Sequence, residues 1–341
     1  MQLTDIAQTW SWHPLTLALV VLAVGFYGRG WVRLRSVQPE LATPGRLLVF
    51  LAAMGLLLLA TLSPIYALST HFLAARTLQK VFVAMLAAPL LWLACPFHVM
   101  AWGLPARWRR RISRAVLRPS PVRRGLQVVT RPLFTLLFFV STFLLWHDPQ
   151  IANWTMDRDW AHRFTLWLLF LAAVLFWWHV VGTAPRLHSA SSGWLIAASL
   201  VLVEVPNMAS GITIAFSGRP LYAYYEAAQA AFAAPARLST LEDQMVSGAL
   251  VWVTGSIVYI TSLIFVVRRL FISDGSTVPA QGQISTRERC RRGYPPNPAR
   301  SPHRLRWPSA GLPPSLAPPG RCCGCHGCTG SRSTERTRWA A

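Results

Sequence analysis

Residues 78–100 read LQKVFVAMLAAPLLWLACPFHVM, and residues 101–131, directly after them, read AWGLPARWRRRISRAVLRPSPVRRGLQVVTR. The first stretch is apolar over the length a helix needs to cross a bilayer, about 20 residues at about 1.5 Å of rise each. The second carries nine arginines: Arg107, Arg109, Arg110, Arg111, Arg114, Arg118, Arg123, Arg124 and Arg131. An apolar run of spanning length that empties into a block of arginine reads as a transmembrane helix followed by a cytoplasmic loop, because short basic loops stay on the inner side.

The rest of the chain repeats that pairing. Further apolar runs occupy 15–32, 47–62, 133–146, 164–181, 194–216 and 245–267. Those at 47–62 and 133–146 are short and must borrow flanking residues to cross. Trp10, Trp12, Trp31, Trp102, Trp108, Trp146, Trp160 and Trp194 fall near the run ends, where amphipathic rings prefer to sit. The first connection holds Arg29, Arg33, Arg35 and Arg46, the fifth Arg186, and the last run meets Arg268 and Arg269. The even connections are poor in arginine and hold Asp148, Asp157, Asp159, Glu226, Glu242 and Asp243. This alternation predicts an all-α polytopic membrane bundle of about seven transmembrane helices, N-terminus out and C-terminus in.

Composition agrees. Of 341 residues, 53% are hydrophobic and 13% charged, against roughly 25% charged in a soluble domain, and the mean hydropathy is +0.37. The net charge of +21 divides between the inner loops and the tail. From Arg268 onward, 13 arginines face only Asp274, Glu288 and Glu335. Such charge orients a membrane protein and is no argument for nucleic acid. Lys80 is the only lysine among 33 basic residues, which suggests a GC-rich coding sequence and hence a bacterium, with the inner membrane as the location. Residues 1–13 carry only Asp5 as a charge, so the first run reads as a retained span rather than a signal peptide.

Residues 1–272 are thus read as the membrane domain and 273–341 as a disordered tail rich in Arg, Pro, Gly and Ser. The tail reads equally as a natural extension or as a GC-rich gene translated out of frame. Its Cys322, Cys323, Cys325, His326 and Cys328 are spaced too tightly for a standard zinc site. Cys95 lies in an apolar run and no cysteine pair falls in an outer loop, so no structural disulfide is expected.

Topology sorts the polar residues by side. His13, His71, His147, His162 and Met245, the last beside Asp243 and Gln244, fall on the outer side. Imidazole and thioether suit copper, although histidines at an interface are more often structural and no local spacing here forces convergence. Glu204 lies mid-span in Glu204-Val205-Pro206-Asn207-Met208. A carboxyl at that depth is costly and marks a functional position or a protonated group bonded to a neighbouring helix; Pro206 bends the span and frees a carbonyl. Pro89, with Met85 one turn before it, predicts a second kink. Tyr222, Tyr224 and Tyr225 could equally rim a docking surface or act as interface aromatics. No span carries a central histidine for haem and the last run lacks a Schiff-base lysine. No phosphate loop or catalytic triad is visible either, so no enzymatic activity is expected.

Across roughly residues 10–270 the chain resembles the CtaG family of seven-span membrane proteins. The residues that carry the likeness are Trp12-His13-Pro14, Ser63-Pro64, Ala88-Pro89-Leu90-Leu91 with Cys95-Pro96, and Trp146-His147-Asp148-Pro149. Phe176-Trp177-Trp178, Leu221-Tyr222 with Tyr225, and Asp243-Gln244 with Gly248, Trp252 and Gly255 complete the set. The resemblance implies a factor that assists assembly of caa3-type cytochrome c oxidase, with oxidase subunits and the lipid bilayer as partners and copper as the cargo to consider. His13, His147, His162, Met208 and Met245 are then the metal candidates, with Glu204, Asp243, Gln244 and Tyr222 as further polar candidates. The family's third span usually opens with His-Met-x-Gln, where this chain has Arg76-Thr77-Leu78-Gln79 followed by Lys80. Its fifth span usually carries a histidine pair, where this chain has His162 and Leu166. The two cations at the entrance of the third span, Arg76 and Lys80, would repel a metal ion. A small transporter for copper or another solute, and a scaffold without metal binding, are the alternatives.

Overall fold

The computed structural model describes residues 13–183, 187, 192–230 and 238–275. The expectations for Trp10 and Trp12, for Arg186 and for the tail with its cysteine cluster lie outside the described residues. The chain divides into two units, residues 1–278 and 279–341, and all described residues belong to the first.

Every regular element among the described residues is helical. In order these are α1 (Pro14–Arg35), α2 (Pro44–Thr61), α3 (Pro64–Leu68), α4 (Leu73–Lys80), a π-helical segment (Val81–Ala87), α5 (Ala88–Leu93), α6 (Pro96–Gly103), α7 (Ala106–Leu117), α8 (Pro121–Val129), α9 (Pro132–Leu145), α10 (Pro149–Met156), α11 (Asp159–Val181), α12 (Gly193–Phe216), α13 (Ala223–Ala230) and α14 (Thr240–Gly275). Proline opens many of them because its fixed φ suits the first helical position, where the missing N–H would be unpaired anyway. Thr43, Ser63, Ser120 and Asp148 then cap the first turns of α2, α3, α8 and α10 by accepting from backbone N–H groups.

Among the described residues, six helices or helix runs are long and apolar enough to cross a membrane: Pro14–Arg35, Pro44–Leu68, Leu73–Leu93, Asp159–Val181, Gly193–Phe216 and Thr240–Ile272. The pair Pro121–Val129 and Pro132–Leu145, bent by 52°, makes a seventh if it is one broken span rather than a re-entrant turn. The short run at 47–62 borrows residues as expected, α2 continuing into α3, while α9 is only 14 residues long and follows α8 across the bend. Leu15, Leu48, Phe216 and Phe265 are among the large apolar side chains left 65–72% exposed on the bundle surface, as a lipid-facing surface requires.

The third span departs from the straight run at 78–100. It begins five residues earlier, widens into the π segment, and ends at Leu93. Pro89 accounts for the widening. In a π turn its partner would be the carbonyl five residues back, that of Ala84, and proline has no N–H to give. The Trp177 indole N–H donates to that carbonyl instead, at 3.1 Å. Pro96 disfavours the α region at Cys95; Cys95 adopts φ +51°, and α6 turns away to pack on α1. Gly30 and Gly103 permit that contact, since a Cβ on Gly30 would strike the Val99 carbonyl and one on Gly103 the carbonyl of Phe26.

One core lies among the π segment, α5, α9, α11 and α14, around Trp92, Trp177, Phe139, Phe176 and Tyr259. A second joins α1, α2 and α6, where Tyr27 stacks on Phe50 at 3.8 Å and donates to the Ala94 carbonyl at 2.9 Å. The helix α12 lies along α14 with Gly211 against Gly248, the small-residue contact by which helices associate in lipid. A smaller cluster of Leu73, Ala152, Met156, Ile214, Tyr222 and Tyr225 closes the end opposite the arginines, termed the outer end after the charge pattern.

Candidate functional site

The outer end is built on the exposed first turn of α4. The backbone N–H groups of Leu73 and Ala74 have no partner within the helix. The Asp243 carboxylate, from α14, accepts from both, at 2.7 and 3.1 Å, and accepts a third bond from Gln229 Nε2 at 3.0 Å. Asp243 is therefore a helix cap supplied across the bundle. Beside it, Gln244 accepts from the Leu221 N–H at 2.7 Å and donates toward the carbonyls of Ile214 and Arg219, both at 3.1 Å, so it clasps the turn after α12.

One turn deeper the network becomes cationic. Arg76 is 1% exposed and Lys80 6%, four residues apart on one helical face. Arg76 donates to the Ala152 carbonyl at 3.3 Å and to Thr155 Oγ1 at 2.6 Å, and Lys80 donates to the Trp146 carbonyl at 2.6 Å. Thr77 and Ser247 share a hydrogen bond of 2.5 Å beneath them. The ion pair found among the described residues is elsewhere, between Arg163 and Asp159 at 3.2 Å. Among the described residues the two buried basic side chains are thus hydrogen-bonded to carbonyl and hydroxyl oxygens rather than paired with a carboxylate.

His147 and His162 flank this pair. The His147 Nδ1 lies 2.7 Å from the Phe143 carbonyl. A carbonyl only accepts, so Nδ1 carries the proton and Nε2 is left as a buried bare acceptor without a hydrogen-bond partner. Burial, then the charges of Lys80 and Arg76, hold the His147 imidazole well below its ordinary pKa. His162 Nε2 meets Gln79 Oε1 at 3.1 Å, and Gln79 Nε2 donates to the Ala60 carbonyl at 2.5 Å. That orientation of Gln79 makes His162 Nε2 a donor. His13 packs edge-on against Tyr66 at 5.8 Å, and Tyr66 stacks on His162 at 4.9 Å, so the phenol ring stands between the two imidazoles. Burial, then the Arg163 charge, lowers the His13 pKa.

Met208 and Met245 are 43% and 45% exposed, on faces of α12 and α14 turned out of the bundle. Tyr222 and Tyr225 do not rim a surface. They are buried, with Tyr222 donating to the His147 carbonyl at 2.9 Å and Tyr225 to the Ser69 carbonyl at 3.0 Å. Burial pushes the Tyr225 phenol up to about 12. Deeper in the bundle, Glu204 accepts from Ser256 Oγ and from Asn207 Nδ2, the latter at 3.2 Å. Helix α12 runs through Pro206 without a break.

The structure therefore brings His147, His162, Asp243, Gln244 and Tyr222 to the outer end, with His13 beside them, and gives most of them backbone or side-chain partners. Among the described residues no three His, Cys, Asp or Glu converge as a metal site. His162 Nε2 is committed to Gln79, both methionines face outward, and Lys80 and Arg76 lie near His147. Sequence reasoning treated Arg76 and Lys80 as entrance residues and missed that they form the centre of the network. The available signal was two cations at i and i+4 in an otherwise apolar run.

A helical bundle with six to seven membrane-spanning helix runs and a buried polar network at one end defines a polytopic membrane protein. The chain belongs to a particular family of these: the family model described as cytochrome c oxidase caa3 assembly factor (Caa3_CtaG) matches residues 25–273. No curated protein and no solved structure matches the chain.

Proposed function

We propose that this protein is a non-enzymatic scaffold that assists assembly of a caa3-type cytochrome c oxidase in a bacterial plasma membrane, contacting an oxidase subunit at its outer end. The family match over residues 25–273 carries the assembly role. The buried Arg76 and Lys80 favour a scaffold over a copper carrier, since a metal cation beside His147 would meet two unneutralised positive charges at short range in a medium that screens them poorly. Copper delivery is the second reading. It rests on one feature, the bare Nε2 of His147, whose imidazole is held neutral and thus competent as a ligand.

A deletion strain tests the assembly role. Loss of caa3 oxidase activity and of oxidase subunits from the membrane, restored by the intact gene, is the expected result; normal levels of both would refute the proposal. Metal analysis of the purified protein separates the two readings. The scaffold reading expects no copper in either the native protein or His147→Ala, whereas stoichiometric copper lost in His147→Ala would establish the carrier.

A further inference from the structure

Nine arginines fall between Arg107 and Arg131, in a stretch of sequence where no Asp or Glu occurs from Glu40 to Asp148. Helix α7 shows how they are displayed. At about 100° per residue, Arg107, Arg110, Arg111, Arg114 and Arg118 fall on one stripe, and all five are exposed. Trp108 and Ile112 lie on the opposite stripe and are also exposed, at 48% and 47%. A helix that leaves both its charged and its apolar face without protein cover is suited to lie in the plane of a membrane interface.

Its depth agrees. Helix α7 follows α6, which packs on α1, and Trp102 of α6 receives Arg33 Nη1 on its carbonyl at 3.5 Å while Arg109 of α7 stacks over its ring at 4.3 Å. Arg33 belongs to the last turn of α1. The helix α7 therefore starts level with the end of a spanning helix, where headgroups lie. Arg109, Arg110, Arg114 and Arg118, with Ser113, line an open hollow on this surface. Guanidinium forks match phosphate oxygens in geometry as well as charge.

We infer that α7 is a binding site for the phosphate headgroups of anionic phospholipids, with Arg110, Arg114 and Arg118 as the principal contacts and Trp108 and Ile112 seated among the acyl chains. The site anchors and orients this end of the bundle against the inner leaflet. It is independent of the polar network at the outer end.

The test uses the full chain in nanodiscs of phosphatidylcholine with and without phosphatidylglycerol, the lipids retained being counted by native mass spectrometry. Preferential retention of phosphatidylglycerol is expected. The triple variant Arg110→Gln, Arg114→Gln, Arg118→Gln should weaken it about tenfold or more, while the matching Arg→Lys triple, which keeps the charge, retains most of it. A thermal melt of each variant in zwitterionic nanodiscs confirms folding. Equal retention of both lipids, or unchanged retention by the glutamine variant, overturns the inference. So does displacement of the lipid by millimolar inorganic phosphate, which would make the hollow a soluble-anion site. Displacement by polyglutamate at concentrations that leave vesicles bound to a control helix would instead assign the surface to an acidic protein and overturn it too.

Discussion

Asp243 shows how much one side chain can hold. Its two carboxylate oxygens accept three hydrogen bonds, two of them from the unpaired N–H groups at the start of α4. Asp243→Ala should cost about 2–4 kcal/mol, the sum of a lost cap and of buried donors left unmet. In detergent the melting temperature should fall by roughly 5 °C or more, and Asp243→Asn, which keeps one acceptor, should lose less. His147 makes stability depend on pH. Its folded-state pKa is depressed, so below the ordinary value of about 6.5 the unfolded chain binds a proton that the native imidazole refuses. Stability is therefore fully present above that value and declines as pH falls below it. Melting curves between pH 7.5 and 5.5 should show this decline, and His147→Gln should flatten the share due to this residue; an identical slope in the variant would refute the assignment.

Among the elements, α12 and α14 share the most extensive contact. A Cβ on Gly248 would strike the backbone of Gly211 and Ala215, and backbone cannot move aside as a flexible side chain can. Gly248→Leu is expected to push the helices apart, separate Asn207 from Gly255, and lower the melting temperature by more than Asp243→Ala does. A Leu variant as stable as the native protein would mean that the contact is dispensable. The third span behaves differently. Its π segment is a response to Pro89, with the Trp177 indole meeting the freed Ala84 carbonyl, so the distortion is tied to α11 by a specific bond.

For the molecule as a whole, arginine-bearing connections should lie inside and the polar network outside. In a protein whose cysteines are replaced by serine, Ser113→Cys on α7 should react with a membrane-impermeant maleimide only after the cells are opened, and Ser239→Cys at the start of α14 should react on intact cells. The reverse pattern would invert the bundle and move the polar network to the cytoplasmic side. Both positions are exposed, so failure to react reflects the membrane and not burial in protein.

The all-helical class and most of the spans were legible in the chain because they follow from local quantities. Apolar length acts over a single helix, so each run could be read without knowing its neighbours. The fate of individual polar side chains was not legible, because it depends on which helices become neighbours. Asp243 was legible only as a polar candidate at that end, and it caps α4 because α4 starts beside it. Tyr222 could equally have rimmed a surface or sat at the interface, and it is buried, with its hydroxyl on the His147 carbonyl. Arg76 and Lys80 could have faced the interface, as long cations near span ends commonly do. They point inward because Ala152, Thr155 and Trp146 present oxygens there, a distribution of partners set by packing between segments some 70 residues apart.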